Sequence, residues 1–134
     1  FRGSVPAADV PGVLARARAL IVPSRWYEAA PRSIIEAYAA GVPVLASDLG
    51  ALPEAIVNGV SGRLVPADDP RAWVEAIQAH DDAESDRLGG GAFGLWQERY
   101  SPEHGLEGLE AAYRIAVEVS RGSKLGGRSA KDGR

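Results

Sequence analysis

Residues 19–46 read ALIVPSRWYEAAPRSIIEAYAAGVPVLA, and this stretch decides the fold. Residues 19–22 and 42–46 are short apolar runs of the kind found in strands that are buried on both faces. Between them, a polar loop leads to a helix that Pro31 opens and Gly41 ends, since proline suits the first helical turn and glycine suits a helix end. The stretch therefore predicts a strand, a loop, a helix and a second strand.

The same alternation extends along the rest of the chain. Spacing and turn signals predict a helix over residues 6–19 and a third strand over 63–65. An amphipathic helix is predicted to begin at Asp69 and Pro70, with Trp73, Val74 and Ile77 on one side. Two more helices are predicted, one over 81–98 interrupted by a hinge at Gly89-Gly90-Gly91, and one over 102–119 with Leu106, Leu109, Tyr113 and Val117 inward. Strands that alternate with helices predict an α/β fold, with a Rossmann-like parallel sheet and helices on both of its faces.

Composition and charge exclude several classes of function. The chain has 134 residues with 46% hydrophobic and 25% charged residues, which is typical of one globular domain. It has no cysteine and only two histidines, so we expect no disulfide and no metal site. Residues 68–119 carry twelve acidic and four basic residues, which argues against a nucleic-acid partner. The basic, Gly- and Ser-rich residues 120–134 predict a disordered tail.

Two carboxylates mark a candidate site after the first strand. Ligands of parallel sheets bind beyond the carboxyl ends of the strands. The helix that starts near Pro31 offers free N–H groups to an anion such as a phosphate. Glu28 and Glu36 flank that helix start, and carboxylates are suited to accept hydrogen bonds from sugar hydroxyls. A phosphate between two hydroxyl-bearing groups is the layout of a nucleotide-diphosphate sugar.

Other interpretations of these residues remain open at this point. Glu36 could be a surface residue paired with Arg32 at i,i+4. Trp26 and Tyr27 could stack on a base or pack beneath the loop. For His80 and His104 we expect solvated surface positions, and for Trp73 and Trp96 we expect core packing.

A longer run of motifs resembles one known family. In chain order, the matching residues are Val22-Pro23-Ser24, Glu28, Pro31-Arg32, Glu36-Ala37, Ala40-Gly41-Val42-Pro43-Val44, Ser47-Asp48-Leu49-Gly50, Leu52-Pro53-Glu54, Asn58-Gly59 and Ser61-Gly62-Arg63-Leu64-Val65. Their order and spacing resemble the C-terminal, donor-binding domain of the retaining, family 4-type glycosyltransferases of the GT-B fold, also called glycosyl transferases group 1.

The resemblance implies roles for individual residues. Glu28 matches the first glutamate of the family's two-glutamate motif, near the donor sugar, and is the catalytic candidate. Glu36 matches the second glutamate, which holds the ribose hydroxyls of the donor. The remaining donor-binding candidates are Ser24, Ala30, Pro31, Arg32 and Gly50. The family transfers a sugar from a nucleotide-sugar to an acceptor and generally needs no metal or other cofactor.

The resemblance also implies a division of the chain. Residues 1–100 match a partial Rossmann-like donor-binding domain, 101–119 match the closing helix, and 120–134 are the tail. The family's basic diphosphate-binding pair and its N-terminal acceptor-binding domain have no counterpart here, so we expect this piece of a longer polypeptide to be inactive alone. We expect a cytoplasmic enzyme, with peripheral contact at the cytoplasmic face of a membrane as an option.

Two rival hypotheses stand beside the enzyme fragment. One is a stand-alone nucleotide-sugar-binding module or interaction module without catalysis. The other is an unrelated α/β domain in which Glu28 and Glu36 are surface charges. Indifference to nucleotides would favour the latter.

Overall fold

The computed structural model describes residues 3–28 and 32–126. It contains three strands and six helices in those ranges. The strands are β1 (Leu20–Val22), β2 (Val44–Ser47) and β3 (Gly62–Val65), and the helices are α1 (Val10–Leu14), α2 (Arg32–Ala39), α3 (Leu52–Ala55), α4 (Pro70–Gln78), α5 (Asp82–Arg99) and α6 (Pro102–Gly126), with a 3₁₀ turn at Ala7–Asp9. The helix predicted over 6–19 is therefore shorter, because the chain must turn after Leu14 to enter β1.

The three strands form one parallel sheet in the order β1-β2-β3. Leu20 pairs with Val44, and Val44 pairs with Gly62. All four residues of the central strand β2 are buried, as the sequence predicts for a strand covered on both faces. In the described sheet β1 is an edge strand and Ile21 is 44% exposed, so that prediction is wrong for β1. The parallel sheet with its connecting helices confirms the α/β, Rossmann-like fold class.

A buried polar contact joins α2 to the segment before β3. Tyr38 is fully buried, and its hydroxyl lies 2.7 Å from the Ser61 hydroxyl and 3.2 Å from the Ala55 carbonyl oxygen. Ser61 in turn accepts a hydrogen bond from the Val57 N–H at 3.0 Å. Because buried polar groups need partners, this network fixes how α2 meets the turn that enters β3.

The three consecutive glycines of α5 are not a hinge, contrary to the prediction. The helix runs without a break from Asp82 to Arg99. A Cβ added to Gly89 would lie 2.3 Å from the Gly41 carbonyl oxygen, and one added to Gly91 would lie 2.2 Å from the Val60 carbonyl oxygen. These glycines therefore allow α5 to approach the backbone of two neighbouring segments closely.

The helix predicted at Asp69 and Pro70 is confirmed as α4. The Asp69 side chain accepts hydrogen bonds from the first-turn N–H groups of α4, and Pro70 occupies the first turn. Its predicted inward face is only partly correct, since Trp73 is half-buried while Val74 and Ile77 are exposed.

His80 is buried, whereas the sequence predicted a solvated position. Its Nε2 lies 3.0 Å from the Arg18 carbonyl oxygen, and the Ser85 hydroxyl donates to the same oxygen at 2.6 Å. This burial depends on contacts between residues more than sixty positions apart, which local sequence does not reveal. His104 is exposed, as predicted.

The chain divides into two compact units, one ending at Glu98 and the second beginning at Arg99. In its described part the second unit is almost entirely α6, which continues beyond residue 119 to Gly126. The helix thus extends into residues 120–126, where the sequence predicted a disordered tail. Residues 127–134 lie outside the described residues.

The apolar face of α6 is exposed, although the sequence predicted burial. Leu106, Leu109 and Tyr113 are more than half exposed, and Val117 is 46% exposed. An amphipathic face is buried only where a second surface meets it, and the described part of this unit provides none.

None of the helices in the described ranges combines the length and apolar character that crossing a bilayer requires.

Candidate functional site

The candidate residues follow two neighbouring strands of the sheet. Glu28 lies in the loop after β1, and Gly50 lies in the loop after β2. Because β1 and β2 are parallel neighbours, both loops leave the sheet at the same edge. Glu36 lies within α2, the helix that follows the first loop. The fold therefore brings Ser24, Glu28 and Gly50 together at one edge of the sheet, whereas Glu36 lines a groove that none of these three residues lines.

Glu28 is held by a side-chain hydrogen bond within its own loop. The Ser24 hydroxyl donates to a carboxylate oxygen of Glu28. Ser24 is buried, while Glu28 is half-buried. The carboxylate is thus attached to the loop but still reachable from solvent.

Gly50 brings the second loop against the first. Its φ is +62°, a conformation that side chains disfavour. A Cβ added here would lie 3.2 Å from the Tyr27 Cα and 3.5 Å from the Glu28 backbone nitrogen. The backbone at Glu28 therefore rests on Gly50, and the close packing leaves little space for any larger residue.

Glu36 makes the ion pair that the surface-charge alternative predicted. The Arg32 Nη2 lies 3.3 Å from the Glu36 Oε1, with side-chain exposures of 89% and 45%. An exposed pair of this kind contributes little stability, about 0–1 kcal/mol. Such a weak ion pair leaves both groups able to exchange partners.

Arg32 and Glu36 also line an open groove between α1 and α2. Its volume is about 660 Å³. The rest of its wall is apolar or small: Ala7, Val10, Pro11, Leu14, Ala15, Ala39 and Ala40. The groove places an aliphatic wall beside the Glu36 carboxylate.

Trp26 and Tyr27 do not pack beneath the loop. They are 71% and 82% exposed, so the burial alternative for these aromatics is wrong. Arg25, just before them, pairs with Asp68 through Nε and Oδ1 at 3.2 Å, which ties this loop to the segment after β3.

Two predicted donor-binding residues, Ala30 and Pro31, lie outside the described residues. Within residues 3–28 and 32–126, no group of three or more acidic or histidine side chains is placed to hold a metal ion.

Sequence reasoning missed two features of the site. It did not reveal that the Ser24 hydroxyl, whose donor-binding role stays a prediction, donates a hydrogen bond to Glu28. It also gave no part to the wall formed by Val10 and Leu14. A four-residue spacing in a loop has no fixed geometry, so no local signal reveals the hydrogen bond between Ser24 and Glu28. The groove wall depends on how α1 packs against α2.

Comparison with known proteins identifies the family. Residues 1–80 match the model of the family described as glycosyl transferases group 1. The D-inositol 3-phosphate glycosyltransferase 1 of Catenulispora acidiphila is 39% identical over 111 residues, which are 77% of this chain and 25% of that protein. The chain thus spans about a quarter of the length of this curated relative.

Solved structures show the same fold. Sucrose-phosphate synthase from Thermosynechococcus elongatus matches with a TM-score of 0.80 and 30% identity, over 89% of this chain and 30% of that one. The Anabaena protein HepE in complex with UDP-glucose matches with a TM-score of 0.67 over 84% of this chain and 30% of that one, and its 23% identity shows the fold alone. These neighbours are glycosyltransferases of the GT-B fold. The family model covers more than half of the residues of this chain, and we conclude that the chain belongs to the glycosyl transferases group 1.

Proposed function

We propose that this chain is the donor-binding part of a retaining glycosyltransferase that takes a sugar from a nucleotide-diphosphate sugar. The observation that carries the proposal is the placement of Glu28 and Glu36 on either side of the start of α2, with the Gly50 loop packed against Glu28. Membership of a glycosyl transferase family supports the reaction class.

Glu36 would bind the ribose of the donor. A carboxylate accepts hydrogen bonds from two adjacent hydroxyls, and Glu36 is 45% exposed at the rim of the groove. The groove volume of about 660 Å³ lies within the range usual for ligand pockets. Its aliphatic wall suits a nucleobase.

Glu28 would act on the sugar, and α2 would hold the diphosphate between the two glutamates. The first N–H groups of a helix are free to donate, and the helix dipole favours an anion there. Arg32, with an 89% exposed side chain, lies in that first turn and adds positive charge. Stabilising the departing diphosphate would be the main contribution to catalysis.

The intact enzyme would use no metal. Further basic side chains for the diphosphate and an acceptor-binding domain would come from elsewhere in the longer polypeptide. For this reason we propose that the 134-residue chain binds the donor but does not transfer sugar by itself.

The first experiment is an NMR titration of the 134-residue chain with UDP, GDP and ADP, and with UDP-glucose, the ligand of the Anabaena structure. We expect chemical-shift changes at residues 24–28, 32–36 and 47–54 with one of the three nucleotides. Glu36→Ala should weaken that binding by roughly 10- to 150-fold, because hydrogen bonds to a charged group contribute about 1.5–3 kcal/mol. Glu110→Ala, which removes an exposed carboxylate from α6, is the matched control and should bind normally.

A ligand variant sharpens the assignment of Glu36. The 2′,3′-dideoxy form of the preferred nucleotide lacks the hydroxyls that Glu36 would accept from. Wild type should therefore prefer the normal nucleotide, and Glu36→Ala should not distinguish the two. Equal binding of both forms by wild type would refute the ribose role.

The surface-charge alternative has one observation in its favour, the Arg32–Glu36 ion pair. The surface-charge alternative predicts no chemical-shift change with any nucleotide. It also predicts that Glu36→Ala has no effect beyond a small change in stability. The same titration therefore separates the two functions.

A further inference from the structure

The loop between β1 and α2 commits a buried hydroxyl to one carboxylate. Ser24 is 9% exposed, and its Oγ donates to Oε1 of Glu28. A buried hydroxyl needs a hydrogen-bond partner, because leaving it without one is costly. The Glu28 carboxylate provides that partner within the same loop.

The bond uses only part of the hydrogen-bonding capacity of Glu28. A carboxylate has two oxygens and about four acceptor positions. The Ser24 hydroxyl occupies one of them on Oε1. Because Glu28 is half-buried, the rest of the carboxylate can meet a ligand while the bond to Ser24 persists.

The backbone of Glu28 is fixed at a second point. Gly50 lies directly against Tyr27 and the Glu28 nitrogen, close enough that a Cβ at Gly50 would be 3.5 Å from that nitrogen. The side chain is therefore held at its tip by Ser24 and at its base by the Gly50 loop. Together these contacts restrict torsions that a loop glutamate would otherwise sample freely.

We propose that Ser24 is a positioning residue: its hydroxyl fixes the rotamer of Glu28 so that the carboxylate is presented to the donor sugar. This rests on the proposed function of Glu28. It changes the role of Ser24 from a direct donor ligand to a residue that acts through Glu28. Such preorganisation matters because a loosely held group must be ordered again at each binding event.

The test compares Ser24→Ala with Ser24→Thr, which keeps the hydroxyl. Ser101→Ala is the matched control, since Ser101 is also 9% exposed and its hydroxyl accepts from the His104 N–H at 3.3 Å in the second unit. The first readout is the side-chain carboxyl carbon resonance of Glu28 in the ¹³C-labelled chain without ligand. The second is the affinity for UDP-glucose, GDP-mannose and ADP-glucose, measured also for Glu28→Gln.

We expect Ser24→Ala to move the Glu28 resonance and Ser24→Thr to restore it, with no effect of Ser101→Ala. We expect Ser24→Ala to weaken binding of the preferred nucleotide-sugar by about three- to ninefold, because χ1 and χ2 of glutamate each have three staggered wells. Affinity for the nucleotide without its sugar should be unchanged, which a general loss of structure would not produce.

The outcomes separate the positioning role from the proposed function. An unmoved Glu28 resonance in Ser24→Ala, with Glu28→Gln still weakening sugar-nucleotide binding, overturns the positioning role and keeps the function. A moved resonance, with no effect of Glu28→Gln on any nucleotide-sugar, confirms the hydrogen bond between Ser24 and Glu28 but refutes the sugar-binding role of Glu28, and the positioning role is refuted with it.

Discussion

Replacing Gly89 with alanine should destabilise the first unit because α5 passes directly over the backbone at Gly41. The new Cβ would lie 2.3 Å from the Gly41 carbonyl oxygen, whereas ordinary contact begins at 3.4 Å. Either the helix or the segment leading into β2 must shift by roughly 1 Å. Overpacking of this size costs about 1–3 kcal/mol in the free energy of unfolding.

Gly90→Ala is the matched control, one position along the same helix. A Cβ at Gly90 meets nothing within 4 Å. Alanine gains up to about 1 kcal/mol over glycine in helix propensity, and both variants share that gain. The difference between their free energies of unfolding therefore measures the contact cost alone, about 1–3 kcal/mol in favour of Gly90→Ala.

Urea unfolding followed by circular dichroism measures that difference directly. The slope of stability against urea should be similar in both variants, so that midpoints can be compared. Equal stabilities would refute the close approach of α5 to Gly41. A Gly90→Ala variant that is less stable than the wild type would contradict the continuous helix through the three glycines.

Three further variants test other contacts by unfolding measurements. Tyr38→Phe should cost about 1–3 kcal/mol, because it leaves the buried Ser61 hydroxyl with one partner fewer; no loss of stability would contradict the network. Asp69→Ala should cost about 0.5–2 kcal/mol through loss of the helix cap, visible as a lower urea midpoint, and a neutral result would mean that the cap is replaced by water. The hydrogen bond from Arg87 lowers the pKa of Glu84 in the folded protein below the ordinary value of 4.5. The ionised Glu84 therefore contributes its full stabilisation above pH 4.5, and this contribution is lost as the pH falls through the lower pKa of the folded state. Glu84→Gln should therefore flatten the loss of stability on acidification, and an unchanged pH profile would remove Glu84 from the acid response.

The sheet and its connections could be predicted from the sequence because they depend on local patterns. Short apolar runs ended by proline or glycine marked the strands, and the strand–loop–helix alternation marked the parallel topology. The cap at Asp69 was equally local, since it involves the next three residues. The position of the Glu28 and Gly50 loops at one edge of the sheet agrees with the rule that adjacent parallel strands end at the same edge.

The failures have a common physical cause. His80 was predicted to be solvated but is buried against the Arg18 carbonyl, and Gly89 was assigned to a hinge but is a contact point with Gly41. Both positions are defined by residues distant in sequence. The apolar face of α6 was predicted to be buried from its periodicity, but periodicity does not say whether a second surface is present.

The sequence by itself determined the α/β class, and it predicted a ligand site at one edge of the sheet with Glu28 and Glu36 as its markers. It did so because helical and strand periodicity, helix ends and motif spacing are all encoded within a few residues. Only the tertiary structure decided that Ser24 bonds to Glu28, that Gly50 supports the same loop, and that Glu36 faces a groove walled by α1. Those contacts depend on loop conformation and on the packing of separate elements, where side chains meet through space and not through spacing along the chain.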